Sequence, residues 1–103
     1  GGNLKVDMTI EEIVKKVSEI SSVPEKEIVG KSRKMEIAQA RQVSMFLSRE
    51  ILGKSLSGIG MYFGGRDHTT VMHAIKTISE KVDTDDVISN TISKLRTDLN
   101  QSF

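Results

Sequence analysis

The stretch Gly64-Gly65-Arg66-Asp67-His68-Thr69-Thr70-Val71-Met72-His73-Ala74 decides how the rest of the chain is interpreted. Its glycine pair permits a tight turn, because glycine adopts positive φ without a steric penalty. Asp67 is a candidate N-cap, since its carboxylate can accept hydrogen bonds from the free amides of a following helical turn. Apolar side chains then recur at helical spacing, namely Val71, Ala74, Ile75 and Ile78. The sequence therefore predicts a tight turn and a capped helix with polar residues in its first turn.

The residues before the glycine pair predict a second, shorter helix. Ser55 is a candidate cap for this helix, and its apolar residues are spaced to face inward: Leu56, Ile59 and Phe63. A short helix, a glycine-containing turn and a helix with exposed polar residues form the outline of a helix-turn-helix, whose second helix contacts DNA. The alternative is an ordinary turn before a well-capped helix, and spacing alone leaves both interpretations open.

Hydrophobic periodicity predicts helices along the rest of the chain. Thr9 and Glu12 fit a capping box at the start of the first helix, and Gly30 and Gly53 end the second and third. These three helices cover about 10–21, 24–29 and 35–52. A polar loop around Asp83 separates the second helix of the helix-turn-helix from a last helix with the apolar stripe Ile88, Ile92, Leu95 and Leu99. We also expect four bulky side chains in the core: Met45, Phe46, Met61 and Phe63.

The composition narrows the class of protein. The chain has 103 residues, 37% of them apolar and 28% charged, which suits a single small helical domain. It has no cysteine, which excludes disulfides, thiolate catalysis and cysteine-based zinc sites. No apolar run reaches membrane-spanning length and no signal-peptide pattern opens the chain, so we expect a cytoplasmic protein. Residues 1–7 are expected to be an expression remnant and flexible linker, and residues 8–103 the folded domain.

Positive charge is concentrated in the middle of the chain. Residues 31–66 contain seven Lys or Arg and two Glu, a net charge of +5, whereas the flanking segments 1–30 and 67–103 each carry −2. The segment Lys31-Ser32-Arg33-Lys34, here named the basic loop, contains no apolar residue. A basic middle between acidic ends is typical of a domain with one face toward a polyanion, and a merely solvated charged surface is the alternative.

Arg41 follows the basic loop, in the amino-terminal half of the third predicted helix. The helix dipole places about +0.5 elementary charge at that end, which disfavours a cation there. An anion held between the free amides and the side chains of Lys31, Arg33 and Arg41 would remove this conflict. Phosphate is the obvious candidate, because helix amino ends bind phosphate groups.

Motifs for catalysis, nucleotide binding and metal binding are incomplete. Two Gly-Lys-Ser triplets lack the earlier glycine of a phosphate-binding loop, whose places hold Glu25 and Ser48. His68 and His73 are five residues apart, so they point about 140° apart on a helix. They therefore do not form the i, i+4 pair of a zinc protease. We expect no catalytic residue, no metal site and no enzyme activity in this chain.

The stretch from Gly64 to Ala74 resembles the signature of the C-terminal domain of the DnaA family, the bacterial replication initiators. Upstream, Lys31-x-Arg33 and Ala40-Arg41-Gln42 are similar to that family's basic loop and following helix. Ser55-Leu56 with Ile59-Gly60 resembles the first helix of its helix-turn-helix. The resemblance implies a compact all-α domain of about six helices, with a Trp-repressor-like variant of the helix-turn-helix.

The resemblance also implies double-stranded DNA as the partner, at DnaA boxes of the TTATNCACA type in replication origins. In this family the recognition helix enters the major groove and an arginine of the basic loop enters the adjacent minor groove. Carried over by position, the base-contacting residues would be Arg33 in the minor groove and Asp67, His68 and Thr69 in the major groove. The phosphate-contacting residues would be Lys31, Ser32, Arg41, Gln42, Thr70 and His73. Arg66 is expected either to contact DNA or to stabilise the turn.

The chain departs from the family at Met35 and Gln39, where many members carry basic residues, and at Ser57, where many have proline. These departures imply weaker contacts to the DNA backbone and an unchanged fold. The family's module for ATP or ADP with Mg²⁺ lies upstream, as do its self-association surfaces, so this domain is expected to act without a cofactor and as a monomer on DNA. The alternative function is a helical protein-interaction module that docks through the acidic first or last helix.

Overall fold

The computed structural model describes residues 8–100, and six α-helices make up most of this part of the chain. The helices are α1 (Ile10–Ser21), α2 (Glu25–Ile28), α3 (Met35–Leu52), α4 (Leu56–Tyr62), α5 (His68–Thr84) and α6 (Asp86–Asn100). No strand occurs between residues 8 and 100. The predicted all-α fold of about six helices is confirmed. The linker predicted at residues 1–7 and the last three residues of the predicted domain lie outside the described residues.

Side-chain caps begin α1 and α4 where the sequence predicts them. The Thr9 hydroxyl accepts a hydrogen bond from the Glu12 amide at 3.3 Å, and the Glu12 carboxylate accepts one from the Thr9 amide at 2.9 Å. The Ser55 hydroxyl accepts from the Gly58 amide at 3.0 Å at the start of α4. Each bond satisfies a backbone donor that the first helical turn leaves free. Local sequence therefore sets these helix starts.

α3 is the central helix of the domain and packs against both α1 and α5. α6 closes the core by packing against α5 and α1, and α4 packs against α5. The predicted stripe of α6 is buried throughout, as are Val71, Ala74 and Ile78 of α5. Two hydroxyls are also buried inside α3, where Ser44 donates to the Ala40 carbonyl at 2.9 Å and Ser48 to the Ser44 carbonyl at 2.8 Å. α3 can therefore be covered on several sides without an unpaired hydroxyl.

One of the four bulky residues expected in the core lies on the surface. Met45 and Phe63 are buried and Phe46 is partly buried, but Met61 is 75% exposed. Met61 lies halfway along the chain between Ile59 and Phe63, which both face the core. Since two helical positions differ by about 200°, its side chain points to the opposite side of α4.

The predicted polar loop around Asp83 is wrong, because α5 continues through Thr84 and α6 begins at Asp86. Asp85 alone separates the two helices. Its amide donates to the Lys81 carbonyl at 2.8 Å, and its carboxylate accepts from the amides of Val87 at 3.0 Å and Ile88 at 3.2 Å. One residue therefore ends one helix and caps the next. Pro24 also differs slightly from expectation, since it precedes the first residue of α2.

The turn between α4 and α5 is fixed by contact with Gly60. Gly64 and Gly65 both have positive φ, 86° and 79°, as predicted. The Gly60 carbonyl accepts hydrogen bonds from the amides of Gly65 and Arg66, both at 2.9 Å. A Cβ atom at position 60 would lie only 2.0 Å from the Arg66 carbonyl oxygen. Only glycine allows the turn to lie this close to α4.

Gly60→Ala is expected to lower the free energy of unfolding by about 3 kcal/mol, because the new methyl group would force the turn away from α4. Urea denaturation followed by circular dichroism measures this change. Gly58→Ala, in the same helix, is the matched control. Its Cβ would meet only the Ser55 hydroxyl, at 3.1 Å, so we expect a change of less than about 1 kcal/mol. Equal stability of the two variants would contradict the close approach.

Candidate nucleic-acid interface

The amino end of α5 presents its polar residues to solvent. Asp67, His68, Thr69 and Thr70 are all exposed, and so is His73 one turn further along the helix. The Asp67 carboxylate accepts a hydrogen bond from the Thr70 amide at 2.9 Å, which confirms the predicted N-cap. Hydrogen bonds from Thr70, first from its amide and then from its side chain, lower the pKa of the Asp67 carboxyl. The cap is therefore an ionised aspartate at neutral pH.

The basic loop connects α2 to α3 and exposes its three cationic side chains, Lys31, Arg33 and Lys34. Ser32 is partly buried, and its hydroxyl accepts a hydrogen bond from the Lys34 amide at 3.2 Å. This bond turns the backbone into the first turn of α3. The loop therefore holds its charged side chains outward while its backbone rests on the domain.

Two adjoining cavities form a surface depression between the basic loop and α5, here named the basic groove. Ala38, Arg41 and Arg66 line both cavities, whose volumes are about 490 Å³ and about 280 Å³. The larger one is also lined by the predicted site residues Lys31, Ser32 and Arg33. The smaller one is also lined by the predicted site residues Gln42, Thr70 and His73.

The structure thus brings the predicted phosphate-contacting residues and Arg33 together along one groove. The other three predicted base-contacting residues, Asp67, His68 and Thr69, do not line either cavity. They lie at the exposed start of α5, immediately before Thr70. The two kinds of predicted contact are therefore adjacent but separate in space.

Arg41 has a structural role that the sequence did not reveal. Its side chain is only 7% exposed, and three of its five N–H groups donate to backbone carbonyls. Nε donates to Ile28 at 2.7 Å, one terminal nitrogen to Ser32 at 2.9 Å, and the other to Glu27 at 3.0 Å. Arg41 therefore fastens the end of α2 and the basic loop to α3. Contact between Arg41 and a DNA phosphate stays a prediction.

The conflict between the α3 dipole and the charge of Arg41 is relieved by carbonyl groups. The carbonyls of Glu27 and Ile28 belong to the last turn of α2, where partial negative charge accumulates. The Glu27 carbonyl accepts from the Gly30 amide at 3.1 Å as well as from Arg41. Burial, followed by the neighbouring positive charge of Arg66, lowers the pKa of the Arg41 guanidinium. An anion is therefore not required to explain why a cation occupies this position.

Arg66 stabilises the turn, in agreement with one of the two expectations for it. One terminal nitrogen donates to the Phe63 carbonyl at the end of α4, and the other donates to the Gly30 carbonyl at 2.9 Å. Gly30 immediately precedes the basic loop, so this contact joins segments that are 36 residues apart in the chain. No local motif in the sequence indicates such a contact.

The positive charge of the basic groove is not balanced by carboxylates of the described part of the chain. Between residues 8 and 100, neither Arg41 nor Arg66 forms an ion pair, and both donate to neutral carbonyls. Arg96, by contrast, forms an ion pair with the Glu50 carboxylate at 2.6 Å. Charges left unpaired in a concave surface attract polyanions, because the field is concentrated there.

Other classes of site are not formed by the described residues. Over residues 8–100, no group of three or more His, Cys, Asp or Glu side chains is arranged to hold a metal ion. None of the helices in that range has the length and hydropathy needed to cross a membrane.

The family model described as "Bacterial dnaA protein helix-turn-helix" matches residues 10–78 of this chain. The chain belongs to the DnaA family. The matched residues run from α1 into α5, so they include the basic loop, the basic groove and the complete turn. Membership of this family supports DNA binding in replication initiation as the function of the helix-turn-helix.

Individual DnaA proteins are similar to most of the chain. The chromosomal replication initiator protein DnaA of Chlorobaculum tepidum is 43% identical over 89 residues, which cover 86% of this chain and 18% of that protein. The DnaA of Ruegeria pomeroyi is 44% identical over 89 residues, with 86% and 19% covered. That of Limosilactobacillus fermentum is 41% identical over 97 residues, with 94% and 22% covered. The chain thus spans only about a fifth of the length of these relatives.

A solved structure supports the same family. The crystal structure of a DNA replication initiation factor superposes on this DnaA domain with a TM-score of 0.77 and 28% sequence identity. The match covers 86% of the present chain and 27% of the other.

Arg41→Met is expected to lower the free energy of unfolding by about 3 kcal/mol, because it removes the donors for three carbonyl groups and keeps the apolar stem. Urea denaturation measures the loss. Arg33→Met is the control, since Arg33 is exposed and its removal should change stability by less than about 0.5 kcal/mol. If Arg41→Met were as stable as the parent chain, the carbonyl contacts would not anchor the basic loop.

Proposed function

We propose that this domain binds double-stranded DNA at DnaA boxes of the TTATNCACA type in bacterial replication origins. The observation that carries the proposal is the basic groove, which has the basic loop on one side and α5 on the other. It is lined by two arginines that form no ion pair with any carboxylate between residues 8 and 100. A duplex backbone laid along this groove would supply the missing negative charge. The reading elements on either side would then face adjacent grooves of the duplex.

In the proposed complex the amino end of α5 enters the major groove. The exposed side chains of Asp67, His68 and Thr69 would contact base edges there. An aspartate can accept a hydrogen bond from the amino group of cytosine, and a threonine methyl group can pack on the methyl group of thymine. The cap that Asp67 makes with Thr70 would hold these side chains in a fixed register.

The basic loop would carry the second part of the recognition. The exposed Arg33 side chain would enter the adjacent minor groove, where a narrow A·T-rich groove attracts arginine. Residues along the basic groove would hold the phosphates, which orients the domain without reading sequence. These are Lys31, Ser32, Arg41, Gln42, Thr70 and His73.

Two of the three departures from the family, Met35 and Ser57, have exposed side chains. Met35 is 81% exposed beside the basic loop, so a basic residue at this position would project into solvent near the proposed phosphate path. Methionine carries no charge, so Met35 supports the expectation of weaker contact with the DNA backbone. Ser57 is exposed in the first turn of α4, which forms normally without the proline of other members.

The wider setting of the proposal follows from the family. The domain would bind each box as a monomer and would act in the cytoplasm, where a bacterial origin lies. ATP or ADP with Mg²⁺, and self-association, would belong to the remainder of a longer DnaA protein. The domain itself would need no cofactor to recognise a duplex.

The first test compares a duplex containing one DnaA box with a scrambled duplex of equal length and base composition. We expect a dissociation constant on the order of 10⁻⁸ M for the box and much weaker binding of the scrambled duplex. The logarithm of the binding constant should fall with the logarithm of salt concentration by about 0.9 per phosphate contact. Fluorescence anisotropy at several salt concentrations measures both quantities. Equal affinity for the two duplexes would remove the sequence-specific claim, and no salt-dependent binding at all would favour the protein-interaction module.

The second test separates base contacts from phosphate contacts. Thr69→Ala should cost about 1–3 kcal/mol on the box and relax discrimination at one base pair, because it removes a methyl contact to a base. Lys31→Ala should weaken binding to both duplexes alike and flatten the salt slope by about one unit. Each serves as the control for the other. A Thr69→Ala variant that lost equal affinity for box and scrambled DNA would contradict the assignment of Thr69 as a base contact.

A further inference from the structure

We propose that Arg66 is a positioning residue that joins the two DNA-reading elements into one rigid unit, so that recognition by Arg33 and recognition by the start of α5 are cooperative. The proposal rests on the DNA-binding function proposed above. It assigns to Arg66 a role in specificity that does not require contact with DNA.

The hydrogen bonds of Arg66 connect the beginnings of both elements. Its side chain donates to the carbonyl of Gly30, the residue directly before the basic loop. It also donates to the carbonyl of Phe63, directly before the glycine turn that leads into α5. The backbone amide of Arg66 donates to the Gly60 carbonyl at 2.9 Å, which fixes the Arg66 backbone against α4. A single residue therefore touches the base of the basic loop and the base of the recognition helix.

The turn and the end of α2 are close enough for this connection to be tight. A Cβ atom placed on Gly64 would lie 3.7 Å from the Val29 carbonyl oxygen and 3.7 Å from a terminal nitrogen of Arg66. Within the loop itself, the Ser32 carbonyl accepts from Arg41 at 2.9 Å. The basic loop is thus fastened to α3 by Arg41 and to the helix-turn-helix by Arg66.

The chemistry of the side chain matters for this role. A guanidinium group is planar and directs several N–H donors in fixed directions, so its two ends can bind two different carbonyls at once. A lysine ammonium has the same charge, but its three N–H donors share one nitrogen at the end of a flexible stem. Arg66→Lys therefore preserves electrostatic attraction to DNA while weakening the connection between the two elements.

A rigid connection predicts that contacts in the two grooves depend on each other. When both elements are held in register, binding of one places the other without further ordering. When the connection is loose, each element must be ordered separately, and the contribution of Arg33 falls because part of it is spent on ordering the loop. The expected sign is a smaller effect of Arg33→Ala in the Arg66→Lys background than in the parent chain.

The experiment is a double-mutant cycle on binding of the box duplex, using the parent chain, Arg66→Lys, Arg33→Ala and the double variant. We expect Arg33→Ala to reduce affinity about three- to tenfold less in the Arg66→Lys background than in the parent, a coupling within the range found for linked sites. Arg96→Lys replaces Arg66→Lys in a control cycle. Arg96 also binds through two nitrogens, but its acceptor is the Glu50 carboxylate of α3. Arg96 does not line the basic groove. This control cycle should be additive.

Amide hydrogen exchange of the free protein gives a second measurement. In Arg66→Lys we expect faster exchange in the basic loop, with unchanged exchange in the middle of α3, because only the loop loses its connection to the turn. If Arg66→Lys does not stay folded at the assay temperature, both measurements are repeated with Arg66→Gln at lower temperature. An additive cycle, for whichever variant folds, would overturn the proposal, and so would unchanged exchange in the loop.

These outcomes are separate from the test of the proposed function. If the parent chain binds box and scrambled duplexes equally, the proposed function fails before any cycle is measured. If the parent chain discriminates between the duplexes and the cycle is additive, the proposed function stands and only the positioning role of Arg66 is wrong.

Discussion

The surface that forms the basic groove depends on carbonyl oxygens at and just after the end of α2. This helix has only four residues, too few to be stable alone, and its last carbonyls find no partners within it. Guanidinium groups from two other elements donate hydrogen bonds in this region. Arg41 of α3 donates to the carbonyls of Glu27 and Ile28, and Arg66 of the turn donates to the carbonyl of Gly30, just after α2. Neutral acceptors leave the net charge of both arginines intact. The same contacts that order the basic loop therefore preserve the positive potential of the basic groove.

Features governed by neighbours in the sequence could be predicted. The capping box at Thr9, the N-cap at Asp67, the positive φ of the glycine pair and the buried stripe of α6 all follow from residues within a few positions of each other. The carboxyl end of α3 lies where the sequence predicts it, because Gly53 adopts the left-handed conformation that ends a helix. The polar loop predicted around Asp83 does not form, because the single residue Asp85 suffices to separate α5 from α6.

Features governed by distant contacts could not be predicted in the same way. The sequence identifies Arg41 as a cation in an unfavourable place. The carbonyls that surround it come from residues 9 to 14 positions earlier, and periodicity does not locate them. In the sequence Gly60 appears only as part of the family resemblance, whereas in the structure it lets the Arg66 backbone pass close to α4. For the candidate site, the family signature identified the residues, and the fold determined which of them share the basic groove and which stand beside it.

The one-residue junction at Asp85 has a mechanical consequence for the helix-turn-helix. With so short a connection, α5 and α6 can rotate about their own axes only together, and α6 is held in one rotational phase by the buried stripe that packs against α1 and α5. The rotation of α5 about its own axis is thereby set from its carboxyl end. That end lies about two dozen ångströms from the amino end, since an α-helix rises 1.5 Å per residue. A helix clamped at both ends, by Gly60 and the turn at one and by α6 at the other, presents the same angular sector to any duplex that it meets.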